Sequence, residues 1–324
     1  MRLKQCVSTL LIAFAVWSCD TATKDAEGNK QTQHLLLVLK TIDNPFFVDI
    51  QRGFTAGSQN RTITIRAGSK ESDVQGQRTQ LRAWQPGGNN KTVDGVALTP
   101  SSSEDALIPE IKRFRDAGIP VVLIDTLIPK GLLESRGTDY NLGLRSDNGK
   151  GGALAADALV ARLRPTSRVI SVLILEGVPG SDTAMHRRVG FEQRLSELGK
   201  EKNLRIAMTR RTANWRRDEA RRLTAALLGR RNQPDAIFAA NDEMALGAVQ
   251  SYLSIGRSPP PIVGFDAIPE AISAIKSGRM SATIGQDPEK MGRLAAEAFS
   301  RGDIQKRRFE LIEVPVRTCD PTCH

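Results

Sequence analysis

The sequence predicts an α/β protein with parallel sheets flanked by helices, and two observations lead to this fold class. Short apolar runs alternate along the chain with longer amphipathic stretches. The runs are continuous rather than alternating in polarity, which is typical of strands that are buried on both faces of a sheet. The chain has 324 residues, which is too long for one ordinary core. It suits two lobes of roughly 150 residues each.

The candidate strands and helices follow each other in the order expected of an alternating α/β chain. The apolar runs that we predict as strands are 35–39, 63–65, 93–98, 121–124, 169–175, 236–240 and 262–265. The amphipathic stretches that we predict as helices are 45–59, 105–117, 151–163, 186–198, 217–228 and 242–255. The residues at the helix ends support these predictions, since Gly118 follows one predicted helix and Asn241 precedes another at the N-cap position.

The N-terminal segment is predicted to lie outside the folded lobes. Residues 1–18 have a positive start and an apolar stretch that is shorter than a membrane span, which are signal-peptide features. The run Val16-Trp17-Ser18-Cys19 resembles a bacterial lipobox, in which the cysteine is lipidated, although Trp17 is bulkier than usual. The alternative is that Cys19 is an ordinary signal-region cysteine. Residues 19–33 are polar and small, so we predict a flexible tether on a lipid-anchored protein that faces the periplasm.

The net charge of +10 raises the question of an anionic partner. Arginine is dense between Arg205 and Arg222, and a basic balance can indicate nucleic-acid binding. The export signal argues against that partner. We therefore predict no nucleic-acid binding and a solvated basic helix face beside an anionic envelope.

Two cysteines lie near the C-terminus, Cys319 and Cys323. In an exported protein such a pair can form a disulfide. The alternative is a metal site completed by His324, but two thiols and one terminal imidazole make a poor ligand set. We favour the disulfide and predict no metal ion and no cofactor.

Polar residues follow most of the predicted strands. In open α/β sheets, ligands bind outside the carboxyl ends of the strands, so these side chains are expected to converge on one crevice. Carboxylates and amides suit a ligand rich in hydroxyl groups, such as a sugar or a polyol. The alternative role of each residue is to cap the next helix. The residues are Lys40, Thr41, Thr99, Asp125, Thr126, Asn241, Asp242, Asp266 and Gln286.

Three aromatic residues lie near these strand ends. Phe46 and Phe47 follow the first strand, and Trp215 lies in a turn of the second half. The apolar faces of a sugar ring pack on such planes while its hydroxyl groups meet polar side chains. We expect at most one of the two adjacent phenylalanines to face the cleft and the other to belong to the core.

The sequence carries no recognisable catalytic arrangement, and we predict that the protein is not an enzyme. His34 and His324 lie at the edges of the domain, and His186 begins a helix without a nucleophile signature nearby. No Gly-x-Ser-x-Gly elbow is present. Residues 148–152 superficially resemble a phosphate loop, but they lack its leading glycine and the hydroxyl residue after the lysine.

Several segments resemble the ribose-type periplasmic binding proteins of ABC importers, over about residues 35–316. The resemblance implies two Rossmann-like lobes joined by a three-crossing hinge, the periplasmic binding protein-like I fold, with a sugar between the lobes. It implies delivery to a membrane permease, and we expect a monomer. The lobes would be 34–146 plus 287–314 and 147–286 plus 315–324. The segments are Thr41-Ile42-Asp43-Asn44-Pro45-Phe46-Phe47, Ala240-Asn241-Asp242-Glu243-Met244, Val263-Gly264-Phe265-Asp266 and Ala282-Thr283-Ile284-Gly285-Gln286.

The same resemblance implies which residues contact the sugar. The positions that match sugar-contacting residues of the family are Asn44, Phe46, Phe47, Asp125, Trp215, Asn241, Asp266 and Gln286. Four ligand-binding positions depart from the ribose pattern, which has a serine, an asparagine and two arginines there. They are Lys40, Thr99, Thr126 and Met185, respectively. Arg187 matches a different arginine that occurs throughout the family.

These departures make ribose itself doubtful, because two bidentate guanidinium donors are lost. We expect a different sugar or polyol, or a ligand whose acidic group meets Lys40. The alternative for Lys40 is pairing with a cleft aspartate. A second functional possibility is a sensor that passes ligand occupancy to a membrane histidine kinase, since its fold and cleft would be identical.

Overall fold

The computed structural model describes residues 32–84, 92–163, 166–229 and 233–321. Its strands form two six-stranded sheets with helices on their faces. The chain passes from one sheet to the other three times, after the fifth, tenth and eleventh strands. The predicted fold class is confirmed: two Rossmann-like lobes are joined by a three-crossing hinge. The residue boundaries given above for the lobes stay a prediction.

The first sheet belongs to the first lobe and has the strand order β2-β1-β3-β4-β5-β11, with every neighbouring pair parallel. Helices α1 and α10 cover one face, and α2 and α3 cover the other. The strands are β1 (His34–Leu39), β2 (Thr62–Ala67), β3 (Gly95–Leu98), β4 (Val121–Ile124), β5 (Leu142–Ser146) and β11 (Glu310–Val314). The helices are α1 (Pro45–Gly57), α2 (Val74–Arg82), α3 (Ile108–Asp116), α4 (Lys130–Ser135) and α10 (Pro288–Ala298).

The second sheet repeats this order as β7-β6-β8-β9-β10-β12, and only β12 in it runs antiparallel to its neighbour. Helices α5 and α6 cover one face, and α7, α8 and α9 cover the other. The strands are β6 (Ile170–Glu176), β7 (Ile206–Thr212), β8 (Ala236–Ala239), β9 (Ile262–Asp266), β10 (Ala282–Gly285) and β12 (Arg317–Cys319). The helices are α5 (Asn148–Val160), α6 (Asp182–Glu201), α7 (Arg217–Leu228), α8 (Asp242–Leu253) and α9 (Pro269–Lys276).

The strand order explains where a ligand can bind. In each lobe the chain direction across the sheet reverses beside the first strand, between β1 and β3 in one lobe and between β6 and β8 in the other. Loops on opposite faces separate at such a switch point, which leaves a crevice outside the carboxyl ends of the strands. The polar residues singled out in the sequence lie at these ends.

Some predicted elements were placed or characterised wrongly. The helix predicted from residue 151 begins at Asn148, because the Asp147 side chain accepts a hydrogen bond from Lys150 N and caps it. The phosphate-loop-like segment is therefore the first turn of α5. Strand β2 was expected to be buried on both faces, but it is partly exposed because it lies at the edge of its sheet.

Close contact between α5 and α6 fixes the start of the second lobe. A Cβ atom on Gly152 would lie 2.1 Å from Arg187 O, and one on Gly190 would lie 2.0 Å from Gly149 O. Real Cβ atoms do not approach a backbone oxygen so closely, so both positions require glycine. The contact holds the backbone of Arg187 against the helix that follows the first crossing.

Several predictions concern residues outside the described ranges. These are the signal peptide, Cys19, residues 19–31 of the tether, Cys323 and His324. Cys319 is disulfide-bonded. In the described part of the chain, no helix is both long and apolar enough to cross a membrane.

Candidate functional site

A small cavity lies between the two lobes at the carboxyl ends of their strands, and we call it the central cavity. Each lobe supplies acidic, amide, cationic and aromatic side chains to its wall. The first lobe contributes Lys40, Asn44, Phe46, Phe47, Glu71 and Asp125. The second lobe contributes Thr183, Arg187, Trp215, Asn241 and Asp266.

Lys40 forms the polar centre of the first-lobe wall. Its Nζ donates to Asp125 Oδ2 at 2.7 Å and to Thr126 Oγ1 at 2.7 Å. Its backbone N donates to Thr99 Oγ1 at 2.7 Å, and its Nζ lies 5.3 Å from the centre of the Phe47 ring. The buried ammonium group is therefore neutralised by an aspartate of its own lobe, which is the alternative considered for this residue.

Arg187 plays the corresponding part in the second lobe. Its guanidinium donates to Asn148 Oδ1 at 2.8 Å, to Ala240 O at 2.7 Å and to Asp266 Oδ1 at 3.3 Å. It also stacks 3.7 Å from the centre of the Phe265 ring. One side chain thus ties the helix after the first crossing to the ends of β8 and β9.

Asn44 and Asn241 each cap a helix and keep an amide group for other partners. Asn44 Oδ1 accepts from Phe46 N at 3.0 Å and Asn241 Oδ1 accepts from Met244 N at 2.9 Å, so the predicted N-cap of α8 is confirmed. Their Nδ2 atoms donate to Glu71 Oε1 at 2.9 Å and to Trp215 O at 3.2 Å. Each of these two asparagines therefore caps a helix and also lines the cavity.

Asp125, Trp215 and Asp266 hold unusual backbone conformations in the cavity wall. Their φ angles are 69°, 64° and 114°, respectively, in the region that favours glycine. Such conformations cost free energy and concentrate at functional sites. Neither aspartate caps a helix, since Pro129 and Ile268 occupy the N-cap positions that follow them.

Three carboxyl groups at or near the cavity have raised pKa values. Burial raises the pKa of Glu71 to about 7, against the opposing effects of Lys40 and the hydrogen bond from Asn44. Burial likewise raises the pKa of Asp242 to about 7, although Thr283 Oγ1 and Ile268 N donate to it. Burial raises the pKa of Asp266 well above its usual range, despite the nearby Arg187. The cavity is therefore surrounded by carboxyl groups that are largely shielded from water.

The structure brings together most of the predicted ligand-binding residues. Thr126 and Gln286 do not line the central cavity but bond to residues that do, Lys40 and Asp266. Thr99 is fully buried behind Lys40. The residues that line the cavity are Lys40, Asn44, Phe46, Phe47, Asp125, Trp215, Asn241 and Asp266.

Two expectations about the wall do not agree with the structure. Met185 is 45% exposed and lines a different hollow between the lobes, so its position does not support contact with a ligand in the central cavity. Phe46 and Phe47 both line the cavity and both belong to the core, whereas only one was expected to face the cleft. The first turn of α1 begins beside the cavity, and the two rings pack edge to face there.

Glu71 and Thr183 line the cavity without having been predicted, and Arg187 was noted only as a family-wide residue. Glu71 follows β2 by a few residues, so the rule that polar residues gather after strands could have found it. Thr183 lies in the first turn of α6 and no sequence pattern marks it.

The lobes touch beside the central cavity, and little space is left inside it. Thr126 Oγ1 and Thr183 Oγ1 are 3.3 Å apart, and Ser103 Oγ donates to Gly180 O at 2.6 Å. The free volume of the cavity is about 20 Å³, which is room for about one water molecule. Small-molecule sites usually have roughly 300 Å³ or more. Admission of a ligand therefore requires the walls to move apart.

The fold and the site define the class of two-lobed binding proteins that hold a small molecule between hinged halves. A model of the periplasmic binding protein domain matches residues 35–301. The chain belongs to this periplasmic binding protein family.

The relatives of the chain are similar over nearly their whole length. The ribose import binding protein of Bacillus subtilis is 30% identical over 97% of this chain and 98% of its own length. The D-allose-binding periplasmic protein of Escherichia coli is 30% identical over 83% of this chain and 85% of its own. A solved solute-binding protein of an ABC transporter from Actinobacillus succinogenes, with bound D-allose, superposes with a TM-score of 0.78 at 28% identity. That match covers 90% of this chain and 98% of the other.

Proposed function

We propose that this protein captures a small sugar or polyol in the central cavity and delivers it to an ABC importer. The observation that carries the proposal is that Asp125 of one lobe and Asn241 and Asp266 of the other line the same cavity, together with Trp215. The relatives named for ribose and D-allose, and the neighbour solved with D-allose, support a small polyhydroxylated ligand.

Recognition rests on acceptors at the wall and rings beside them. Asp125 and Asp266 accept hydrogen bonds from hydroxyl groups of the ligand. Trp215 offers an apolar face to the C–H side of the ring. Because Lys40 already has Asp125 and Thr126 as partners, it gives no support to an acidic ligand.

Binding is coupled to closure of the lobes. A ligand that bonds to residues of both lobes interacts more strongly with the closed form, and it therefore shifts the population towards that form. Periplasmic binding proteins are themselves a standard example of hinge closure around a ligand. The membrane permease then distinguishes the closed form from the open form.

We further propose that the protein works as a monomer and is held at the membrane through a lipid on Cys19. The lipobox-like run and the polar tether support this anchor. Labelling cells with a tagged fatty acid tests it, and Cys19→Ala should lose the label and leave the membrane fraction. A labelled Cys19→Ala variant would contradict lipidation at this residue.

We propose no catalytic step. The polar side chains of the central cavity form hydrogen bonds with each other, and they do not include a nucleophile arranged beside a general base. The sensor alternative is not favoured, since the relatives described above are import or periplasmic sugar-binding proteins. A permease and an ATPase encoded beside this gene would agree with import, whereas a histidine kinase gene would agree with the sensor.

Calorimetry and solution scattering test the proposed function together. A panel of pentoses, hexoses, polyols and sugar acids identifies the ligand by calorimetry, and scattering then measures compaction when it binds. Asp266→Ala should abolish both binding and compaction, whereas the exposed Asp116→Ala serves as the matched control and should retain both. Full affinity and compaction in Asp266→Ala would remove this residue from the site. Tight binding of ribose would contradict the expectation drawn from Thr126 and Met185.

A further inference from the structure

Carboxylates outnumber cations in the wall of the central cavity. The acids are Glu71, Asp125 and Asp266, and the cations are Lys40 and Arg187. Lys40 pairs with Asp125 at 2.7 Å, and Arg187 pairs with Asp266 at 3.3 Å. Within the described ranges Glu71 has no cation within ion-pair distance, and its recorded partner is the Asn44 amide. One carboxyl group of the wall, that of Glu71, is therefore left without an ion-pair partner of its own.

Glu71 lies where a ligand can reach it. It lines the central cavity and also the groove at the mouth of the cleft, which has a free volume of about 360 Å³. Arginines of that groove hold other acids: Arg216 bonds to Asp218, and Arg217 bonds to Glu243 and Glu270. Lys70 and Arg221 also line the groove, but in the described part of the chain neither is within ion-pair distance of Glu71.

A nearby acceptor on the second lobe lacks a hydrogen-bond donor. Gln286 donates through Nε2 to Asp266 Oδ1 at 2.6 Å, while its buried Oε1 has no hydrogen-bond partner among the described residues. A buried acceptor without a partner is unfavourable. Gln286, which lies behind Asp266, thus has a free acceptor, and Glu71 in the cavity wall has a carboxyl group that carries a negative charge when ionised.

We propose that the ligand bears a protonated amino group as well as hydroxyl groups, and that Glu71 binds this ammonium group. The inference rests on the proposed function and narrows the ligand to an amino sugar or an aminopolyol. An ammonium group supplies three hydrogen-bond donors and a positive charge that favours the ionised form of Glu71. The raised pKa of Glu71 agrees, because burial disfavours its charged form more than Lys40 and the hydrogen bond from Asn44 favour it.

Calorimetry with matched ligands tests the inference on the purified full-length protein. The sets are D-glucosamine with D-glucose and N-acetyl-D-glucosamine, D-galactosamine with D-galactose and N-acetyl-D-galactosamine, and 1-amino-1-deoxysorbitol with sorbitol. The amine in at least one set should bind about tenfold or more tightly than its uncharged partners, because a hydrogen bond between an ammonium group and the Glu71 carboxylate is stronger than one between neutral groups. The Glu71→Gln variant keeps the shape and the bond to Asn44, and it should lose this preference.

Asp43→Asn is the matched control, because Asp43 lines the groove at the mouth but not the central cavity, and the preference should survive in it. Equal or tighter binding of the uncharged partners, or a preference that persists in Glu71→Gln, overturns the inference and leaves the proposed function standing. Absence of binding by every sugar and polyol tested overturns both. Should Glu71→Gln fail to fold, the comparison of the amine with its N-acetyl form in the unmodified protein still decides.

Discussion

The ammonium group of Lys40 lies 2.7 Å from Asp125 Oδ2, and both side chains are at least nine-tenths buried. The pair joins the ends of β1 and β4, two strands that are separated by β3 in the sheet. A lysine in this place adds little net charge to the cavity, because its charge is cancelled within its own lobe. The character of the site is therefore set by its remaining acids and amides.

We predict that Lys40→Met destabilises the protein by about 3–5 kcal/mol, because it leaves the Asp125 carboxylate buried without a counter-charge. Urea unfolding followed by circular dichroism measures the change. The double variant Lys40→Met with Asp125→Asn is the control and should recover most of the lost free energy of unfolding, since both charges are then removed and asparagine tolerates the positive φ angle at position 125. A single variant as stable as the unmodified protein would show that the pair does not form in solution.

We predict that Trp215→Ala lowers ligand affinity roughly 10- to 100-fold, because the cavity loses a large apolar face. Trp84 lies in the core of the first lobe away from the cavity, so Trp84→Phe should bind normally. Tryptophan fluorescence gives a second measurement. The change on ligand binding should persist in Trp84→Phe and disappear in Trp215→Ala, and the reverse pattern would place the ligand elsewhere.

The position of the Trp215 ring depends on Gly177. A Cβ atom on Gly177 would lie 2.2 Å from two atoms of that ring, so Gly177→Ala must displace it. We predict a loss of ligand affinity of at least about tenfold with a stability loss of roughly 1–3 kcal/mol. Gly131→Ala is the matched control, since nothing lies within 4 Å of a Cβ atom there. If both variants bind alike, the ring of Trp215 does not position the ligand.

We predict that the free energy of unfolding decreases as the pH rises towards neutrality and beyond. The pKa of Asp242 is raised from 3.8 to about 7 in the folded protein, so folding favours its protonated form. This contribution is fully present below the unfolded pKa and is lost as the pH rises through about 7. Urea unfolding at about pH 5 and about pH 8 measures it.

Asp242→Asn is the variant that isolates this effect. It cannot ionise, so its stability should depend less on pH than that of the unmodified protein. Glu71 and Asp266 titrate in the same direction, and part of the dependence should therefore remain. An unchanged pH dependence in Asp242→Asn would mean that its carboxyl group is already ionised in the folded protein.

Much of the fold and part of the site could be predicted because they follow from local patterns. Buried parallel strands leave continuous apolar runs, and polar residues such as Asp125 and Asp266 lie at the carboxyl ends of these strands, where ligands bind in open α/β sheets. The sequence predicts a strand near residues 205–208, before the turn that holds Trp215, and β7 lies there. Its extension through Arg210 and Arg211 left no continuous apolar run, because β7 is largely exposed at the edge of its sheet. The short helices α2 and α4 were not predicted.

The sequence did not show which side chains pair with each other in the cavity wall. Whether Lys40 pairs with a ligand or with Asp125 depends on the distance in the folded protein between two side chains that are 85 positions apart in the sequence. The exposure of Met185 depends on which side of α6 faces the cleft. Glu71 is acidic like many surface residues, and only the closeness of the lobes distinguishes it from them.

The contacts of Arg187 also bear on how new ligand preferences can arise in this scaffold. Its guanidinium bonds to Asn148 beside a crossing and to the ends of two strands, so replacing a neighbour on that wall disturbs the joint between the lobes. In the described ranges, the hydrogen-bond partners of Lys40 and Glu71 all belong to the first lobe. Substitutions in the first-lobe wall can therefore change which ligand is bound without disturbing the hinge. Homologues that bind other ligands are expected to differ first in that wall.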